Sequence, residues 1–489
     1  MIGSQKIWFL LLFTSFIFAQ PGTTEYSLLH ILNLRDDGFL DNSFNGTTHP
    51  ALIGVPERNS FSFLFDYEDL YREAGLITIN KSRSTLVYNQ SLKSIAPAAS
   101  FAFSISRDNL QFNHVEQSGS IPDLNCTGTF CYQGNRYKSG LSVEYLSMRG
   151  QNQLTIDHYP KSENDWLLDR YFYDLLQPTF GNLIDVSVYL RKLGAVGEFM
   201  YKVHDRCELG TKMSYSEMRN QTQLIYLNTT EKLAGEKIIK IPLKNKNLSM
   251  QFLVKTSIQI MQIHFFFSVD RSRYGLDLVP DNPSKVNDIY IDYTDLGNCL
   301  LRRSGYGTGL GFSIPVLPLM EIQITDAIAT DRWQGEGTIF TPVLGFEVLP
   351  IAHNFRGTID ARTETNHLQI NLQHRPWRKL SYNLNLDWLA TNLRPQWQGT
   401  AYMEFGINDH HYEESLHYNG NIFMVGLAPV FNLRHHWSLM YSLKQVIPLF
   451  REEKGAAGEK PPAAEEIKPS HESKTGGGRI HQLTVTYNF

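Results

Sequence analysis

The sequence predicts an all-β protein, a closed antiparallel up-and-down barrel crossing a membrane with about 18 strands (range 14–22). Three observations carry this. Two-residue alternation of apolar and polar side chains recurs from about residue 59 to residue 489, and no apolar run of 18 residues occurs after residue 20. Aromatic residues cluster near segment ends, at Tyr88, Tyr145, Tyr189, Trp388, Trp397, Trp437 and Tyr441, as the two interfaces of a bilayer favour. A sheet spanning lipid must also close, because an open edge would leave backbone groups unpaired.

The alternation is strict in several segments. Leu380, Tyr382, Leu384, Leu386 and Trp388 are interleaved with Ser381, Asn383, Asn385 and Asp387. Phe61, Phe63, Phe65 and Tyr67 share one face, as do Leu368, Ile370 and Leu372. The pattern returns near 99–106, 141–147, 182–190, 286–293 and 318–325. Successive strand side chains point to opposite faces, so each segment has one oily and one polar side. Helical periodicity is confined to Tyr26–Leu34 and Asp165–Leu176.

Composition narrows the functional classes. Lys plus Arg (45) against Asp plus Glu (49) leaves a net charge of −4, without the basic surplus that displaces phosphate counterions, so no nucleic-acid partner is expected. Seven Trp, 24 Tyr and 29 Phe argue against wholesale disorder. Residues 1–19 read as a signal peptide, with Lys6 followed by an apolar stretch Ile7–Phe18 too short to span. Residues 20–58 lack alternation and form either a periplasmic extension or a luminal plug. Residues 59–489 form the barrel. Residues 107–138 and 159–180 suit surface loops, and the charged, Pro- and Gly-bearing stretch 451–478 suits a flexible extracellular one.

Candidate sites are few. Cys126 and Cys131, in Cys-Thr-Gly-Thr-Phe-Cys, suit a loop disulfide, since their five-residue step does not resemble a zinc knuckle and no CxxC pair accompanies them. His410, His411, Glu413, Glu414 and His417 follow no recognised ligand spacing and read as a solvated turn. Arg356, Arg362, Arg375 and Arg378, with Arg271, Arg273, Arg302 and Arg303, are candidates for a wet pore lining. Gly305, Gly307, Gly309 and Gly311 alternate, which makes room on one face for a plug or another side chain. No cofactor and no catalytic residue is expected.

The chain's last strand carries a resemblance. Leu483, Val485, Tyr487 and the terminal Phe489 alternate as do the closing residues of bacterial outer-membrane β-barrel proteins. That resemblance implies outer-membrane lipids and the outer-membrane assembly machinery as partners, with these four residues as the insertion signal. A second, weaker resemblance is to the long-chain fatty-acid transporters, which carry Asn-Pro-Ala before their first strand where this chain has His49-Pro50-Ala51. The function expected is passage of a solute or hydrophobic ligand. Two rivals are a non-conducting scaffold for an envelope complex, and a hydrolase built on His436-Trp437-Ser438, which resembles the His-x-Ser of outer-membrane lipid deacylases.

Overall fold

In the computed structural model the described residues are Ala51, Asn59, the strands named below, the short turns 134–136, 205–206 (Asp205, Arg206), 259–260 and 318–319, Lys379, His436 and Phe489. The wall opens with β1 (Ser60–Glu73), β2 (Ile77–Leu92), β3 (Ala98–His114), β4 (Gln117–Gln133), β5 (Tyr137–Thr155) and β6 (Leu183–His204). It continues through β7 (Cys207–Leu227), β8 (Glu236–Ile258) and β9 (Met261–Pro280). A small separate hairpin, β10 (Ser284–Val286) and β11 (Ile289–Ile291), precedes β12 (Gly297–Leu317), β13 (Met320–Gly345) and β14 (Leu349–Trp377). The last wall strands are β15 (Leu380–Met403), β16 (His410–Arg434), β17 (Trp437–Lys454) and β18 (Gly478–Asn488).

Sixteen of these eighteen strands form one closed antiparallel barrel, each paired with its sequence neighbours except that β9 pairs directly with β12. This count lies inside the expected range. Closure is made by β1 and β18, in register from Ser60 opposite Asn488 to Asp69 opposite Arg479. The seam ends with Phe489 N–H bonded to the Asn59 carbonyl (3.0 Å), while on the β17 side of the same strand Asn488 N–H bonds the His436 carbonyl (2.7 Å). Antiparallel pairing puts Asn59, Phe489 and all the described tight turns at one end. In barrels of this kind the short turns are periplasmic.

Burial decides which way each face points. Phe61, Phe63 and Phe65 are exposed, while Ser62 between them is inaccessible and Asp66 is 3% exposed. In β15 Leu386 is 41% exposed beside Asn385 at 1%. A water-soluble sandwich would bury the oily set; here the polar set is inside and the apolar set outside. The outward apolar residues are stabilised by hydrocarbon, not by one another.

Two expectations change. Residues 107–114 and 117–133 belong to β3 and β4, with Arg107 opposite Leu124 and Asn113 opposite Ser118, rather than to a loop. Strands of 17 residues outrun the roughly 9–11 needed to cross hydrocarbon, so their far ends need no apolar outer face. The window 286–293 supplies only β11 and the end of β10, outside the wall. The predicted helices, residues 1–19 and residues 159–180 lie outside the described residues, as does 455–477 of the predicted loop; Arg451–Lys454 extend β17 and Gly478 begins β18.

Candidate functional site

The candidate site is the inner wall. β12 contributes Arg303, Gly305, Gly307, Gly309 and Gly311 to it, all buried, alternating with exposed Arg302, Ser304, Tyr306, Thr308 and Leu310 outside. The glycines make room for large inward neighbours, as their spacing suggests. A Cβ on Gly305 would strike the Asp331 carboxylate, and one on Gly309 would enter the Phe266 ring.

Into the first of these spaces fits a charged and aromatic cluster. Arg303 donates from Nε to Asp331 Oδ1 at 3.0 Å and approaches it from Nη2 at 2.8 Å. Its guanidinium lies 5.4 Å from the Trp333 ring centroid, and Trp333 stacks on buried Tyr274 at 5.7 Å. A second inward pair joins Lys192 Nζ to Glu144 Oε2 at 2.8 Å, with Asn125 donating to the other carboxylate oxygen at 2.9 Å. Such pairs hold burial-compatible charge only because each is neutralised in place. Neutral bonds also tie neighbouring strands on this face, Ser62 of β1 with Thr486 of β18 and Thr129 of β4 with Ser142 of β5.

Beside these polar rows lies an apolar patch on the same inner face. Leu146, Leu190, Met218 and Leu243 pack together, with Met148 and Cys299 against them. They come from β5, β6, β7, β8 and β12 at inward positions. Strand alternation does not reveal them, because the dominant oily set of each strand lies on the other face. The legible signal is adjacency: Tyr145-Leu146 and Tyr189-Leu190 are apolar neighbours, so one member of each must face inward.

Ala51 also reaches this interior. It is fully buried, its N–H donates to Glu198 Oε2 at 2.9 Å, and its carbonyl lies 3.9 Å from Cys131 Sγ. Glu198 and Cys131 are inward residues of β6 and β4, so Ala51 of the His49-Pro50-Ala51 segment sits against the inner wall.

The other sequence candidates fall elsewhere. Arg356 and Arg362 are exposed and stand on the face of β14 opposite that of buried Ala361, Thr363 and Thr365; they point outward, as do Arg302, Arg271 and Arg273. Arg375 is exposed at the β14 end, its N–H bonded to the Leu319 carbonyl at 2.9 Å, and Arg378 lies outside the described residues. Parity explains this: within Arg302-Arg303 only the second shares the inner face. Cys126 and Cys131 both lie in β4 and are free thiols. Five positions along an extended strand put them on opposite faces and roughly 16 Å apart, so no loop and no bridge forms. His410, His411, Glu413 and Glu414 open β16, their side chains outside the described residues. Among the described residues no group of three His, Cys, Asp or Glu is placed to hold a metal.

His436 shares a hydrogen bond of 2.8 Å between Nδ1 and the Asn488 carbonyl, and its ring lies 6.0 Å from that of Tyr487. These contacts brace the last strand at the end carrying the short turns. Leu483, Val485 and Tyr487 take outward positions of β18, and Phe489 follows directly after the strand. Tyr487 packs on Trp437 at 4.7 Å and on Phe489 at 6.0 Å, and Phe489 also stacks on Tyr88 at 6.5 Å. The result is an aromatic patch at the end carrying the short turns.

No protein-family model and no curated protein matches the chain. Among solved structures it is similar to a FadL homologue of Pseudomonas aeruginosa, at 9% identity and TM-score 0.39 over 92% of this chain and 95% of that one. It is likewise similar to the P. putida toluene transporter TodX (8%, 0.36, 91% and 94%). The open form of the ferric-catecholate import receptor Fiu from E. coli follows (9%, 0.38, 89% and 82%). At those scores the likeness adds nothing beyond the chain's own geometry. A closed antiparallel sheet with an apolar outer face and a polar inner one is a membrane-spanning β-barrel of the outer-membrane class. Among the described residues no helix is long and apolar enough to cross a membrane.

Proposed function

We propose that the barrel mediates passage of a solute or hydrophobic ligand across the outer membrane. The observation that carries this reading is the inward apolar patch of Leu146, Leu190, Met218 and Leu243 beside the Arg303–Asp331 and Lys192–Glu144 pairs. Apolar side chains on the inner face gain nothing from lipid, so their natural contact is apolar matter inside the barrel. The polar pairs beside them give a passing molecule with a polar end somewhere to orient. No cofactor enters this reading.

The test is uptake of a hydrophobic probe by vesicles holding the purified full chain, alongside conductance in planar bilayers. Uptake that exceeds empty vesicles and falls when Leu190 and Met218 are both replaced by Asp supports passage. A barrel that neither conducts nor admits the probe would instead be the scaffold of an envelope complex, a reading favoured by Ala51 lying against the inner wall.

The four closing residues Leu483, Val485, Tyr487 and Phe489 serve, on this reading, as the strand recognised by the outer-membrane assembly machinery. Their alternation and their common outward face support it.

A further inference from the structure

On the outside of β7, β8, β9 and β12 the apolar band stops abruptly and a basic row begins. Read away from the short turns, the outward series of β9 is Phe265, Phe267, Val269, then Arg271 and Arg273. In β8 Phe252 and Leu248 give way to Lys246 and Lys244. Met213 and Tyr215 of β7 lead to Glu217 and Arg219, and Leu310 and Tyr306 of β12 lead to Arg302. The six basic side chains are all exposed.

The register sets like charges directly against one another. Arg219 is opposite Lys244, Lys246 is opposite Arg273, and Arg273 is opposite Arg302. Cross-strand partners sit about 4.5–5.5 Å apart, where like charges destabilise the pairing. Glu217 faces Lys246 across the register but is bonded to Arg219 at 2.9 Å, and Arg271, Arg273 and Arg302 make no ion pair among the described residues. On the neighbouring strands the arrangement differs, since Arg332 is held by Asp360 at 2.6 Å.

Height fixes where the row lies. Arg271 and Arg273 are 10 and 12 residues beyond Met261. At roughly 3.3 Å per residue and about 40° of tilt, that is about 25–30 Å from the turns, the full height of a barrel's apolar band. The row therefore stands at the headgroups of the leaflet away from the short turns, which is the outer one.

We propose that this row is a docking surface for phosphorylated glycolipid of the outer leaflet. Arginine forks bind phosphate oxygens in pairs, and anions between the opposed cations remove the repulsion built into the register. Acyl chains of the same lipid lie against Phe265, Phe267, Val269 and Leu248 below. Charge complementarity and apolar contact thus meet at one height on one face.

The experiment uses the purified full chain in micelles, titrated with diphosphorylated lipid A, with its dephosphorylated counterpart, or with inorganic phosphate alone. Lipid retained after washing and the temperature at which the compact electrophoretic form is lost are read. Diphosphorylated lipid A is expected to stay bound and to raise that temperature, whereas the other two do neither. The variant Arg271→Gln/Arg273→Gln/Arg302→Gln is expected to bind roughly tenfold more weakly, and the matching triple Lys variant to lose less than about threefold. Equal retention by wild type and the Gln variant overturns the proposal. So does an equal response to dephosphorylated lipid, which would assign binding to the acyl chains, or a response to inorganic phosphate alone. Should the Gln variant fail to fold, the phosphorylated and dephosphorylated lipids compared on the wild type still decide. Passage uses the opposite face of the wall, so either reading can fail without the other.

Discussion

Arg303 on β12 and Asp331 on β13 meet at 2.8 Å on the inner face of the barrel, with side chains 1% and 7% exposed. The space for that contact is the missing side chain of Gly305, directly opposite Asp331 in the register. Breaking the pair by Asp331→Ala strands a buried cation and is expected to cost about 3–5 kcal/mol. Replacing both partners by apolar residues, as in Arg303→Met/Asp331→Leu, is expected to restore most of that loss. Urea titration of the folded barrel in micelles, comparing the single and double variants, measures the difference. A double variant no more stable than Asp331→Ala would contradict the account.

Gly309 and Phe266 form a second complementary pair across β12 and β9. Gly309→Val places a branched side chain where the Phe266 ring lies, and overpacking of this kind costs typically about 1–3 kcal/mol. Combining it with Phe266→Ala should recover much of the loss, because the smaller side chain empties the contested space. Coupling is read from the four members of the cycle; independent, additive effects would show that the two residues do not compete.

Cys126 and Cys131 offer a test of facing. Mild oxidation of the folded barrel should leave its mobility on non-reducing gels unchanged, since the two thiols leave opposite sides of β4. A lipid-soluble maleimide should label Cys126, which points outward, well ahead of Cys131, which lies against Ala51. Preferential labelling of Cys131 would reverse the orientation of the wall.

Phe489 is half exposed and touches the rings of Tyr88 and Tyr487. Phe489→Ser is therefore expected to lower the stability of refolded barrel by only about 1 kcal/mol, the worth of its aromatic contacts. In cells, the amount of assembled barrel is expected to fall several-fold, more than stability alone explains, if the machinery reads this residue. Quantifying the compact electrophoretic form from outer-membrane fractions separates the two effects.

Much of the wall was legible residue by residue. The alternation at 380–389 correctly divides Leu386 from Asn385, and the glycine series of β12 correctly announces an inner face crowded from the neighbouring strands. Of the candidate pore arginines Arg303 does face inward, whereas Arg271, Arg273, Arg302, Arg356 and Arg362 face outward, because composition reveals that a segment is basic but not the parity of each residue. Arg302 and Arg303 are adjacent in the chain and on opposite sides of the sheet. The apolar lumen patch was hidden for a related reason: it is assembled from single inward residues of five strands, none of which disturbs its own strand's pattern strongly.

What the chain by itself determined is local. Side chains of an extended backbone alternate, so a period of two divides every strand into its two faces before any partner is met. Only the closed sheet decided which face meets hydrocarbon, that β9 pairs with β12 across the small hairpin, and that Asp331 lies within reach of Arg303. Those facts depend on register and curvature, which arise from contacts between residues far apart in sequence.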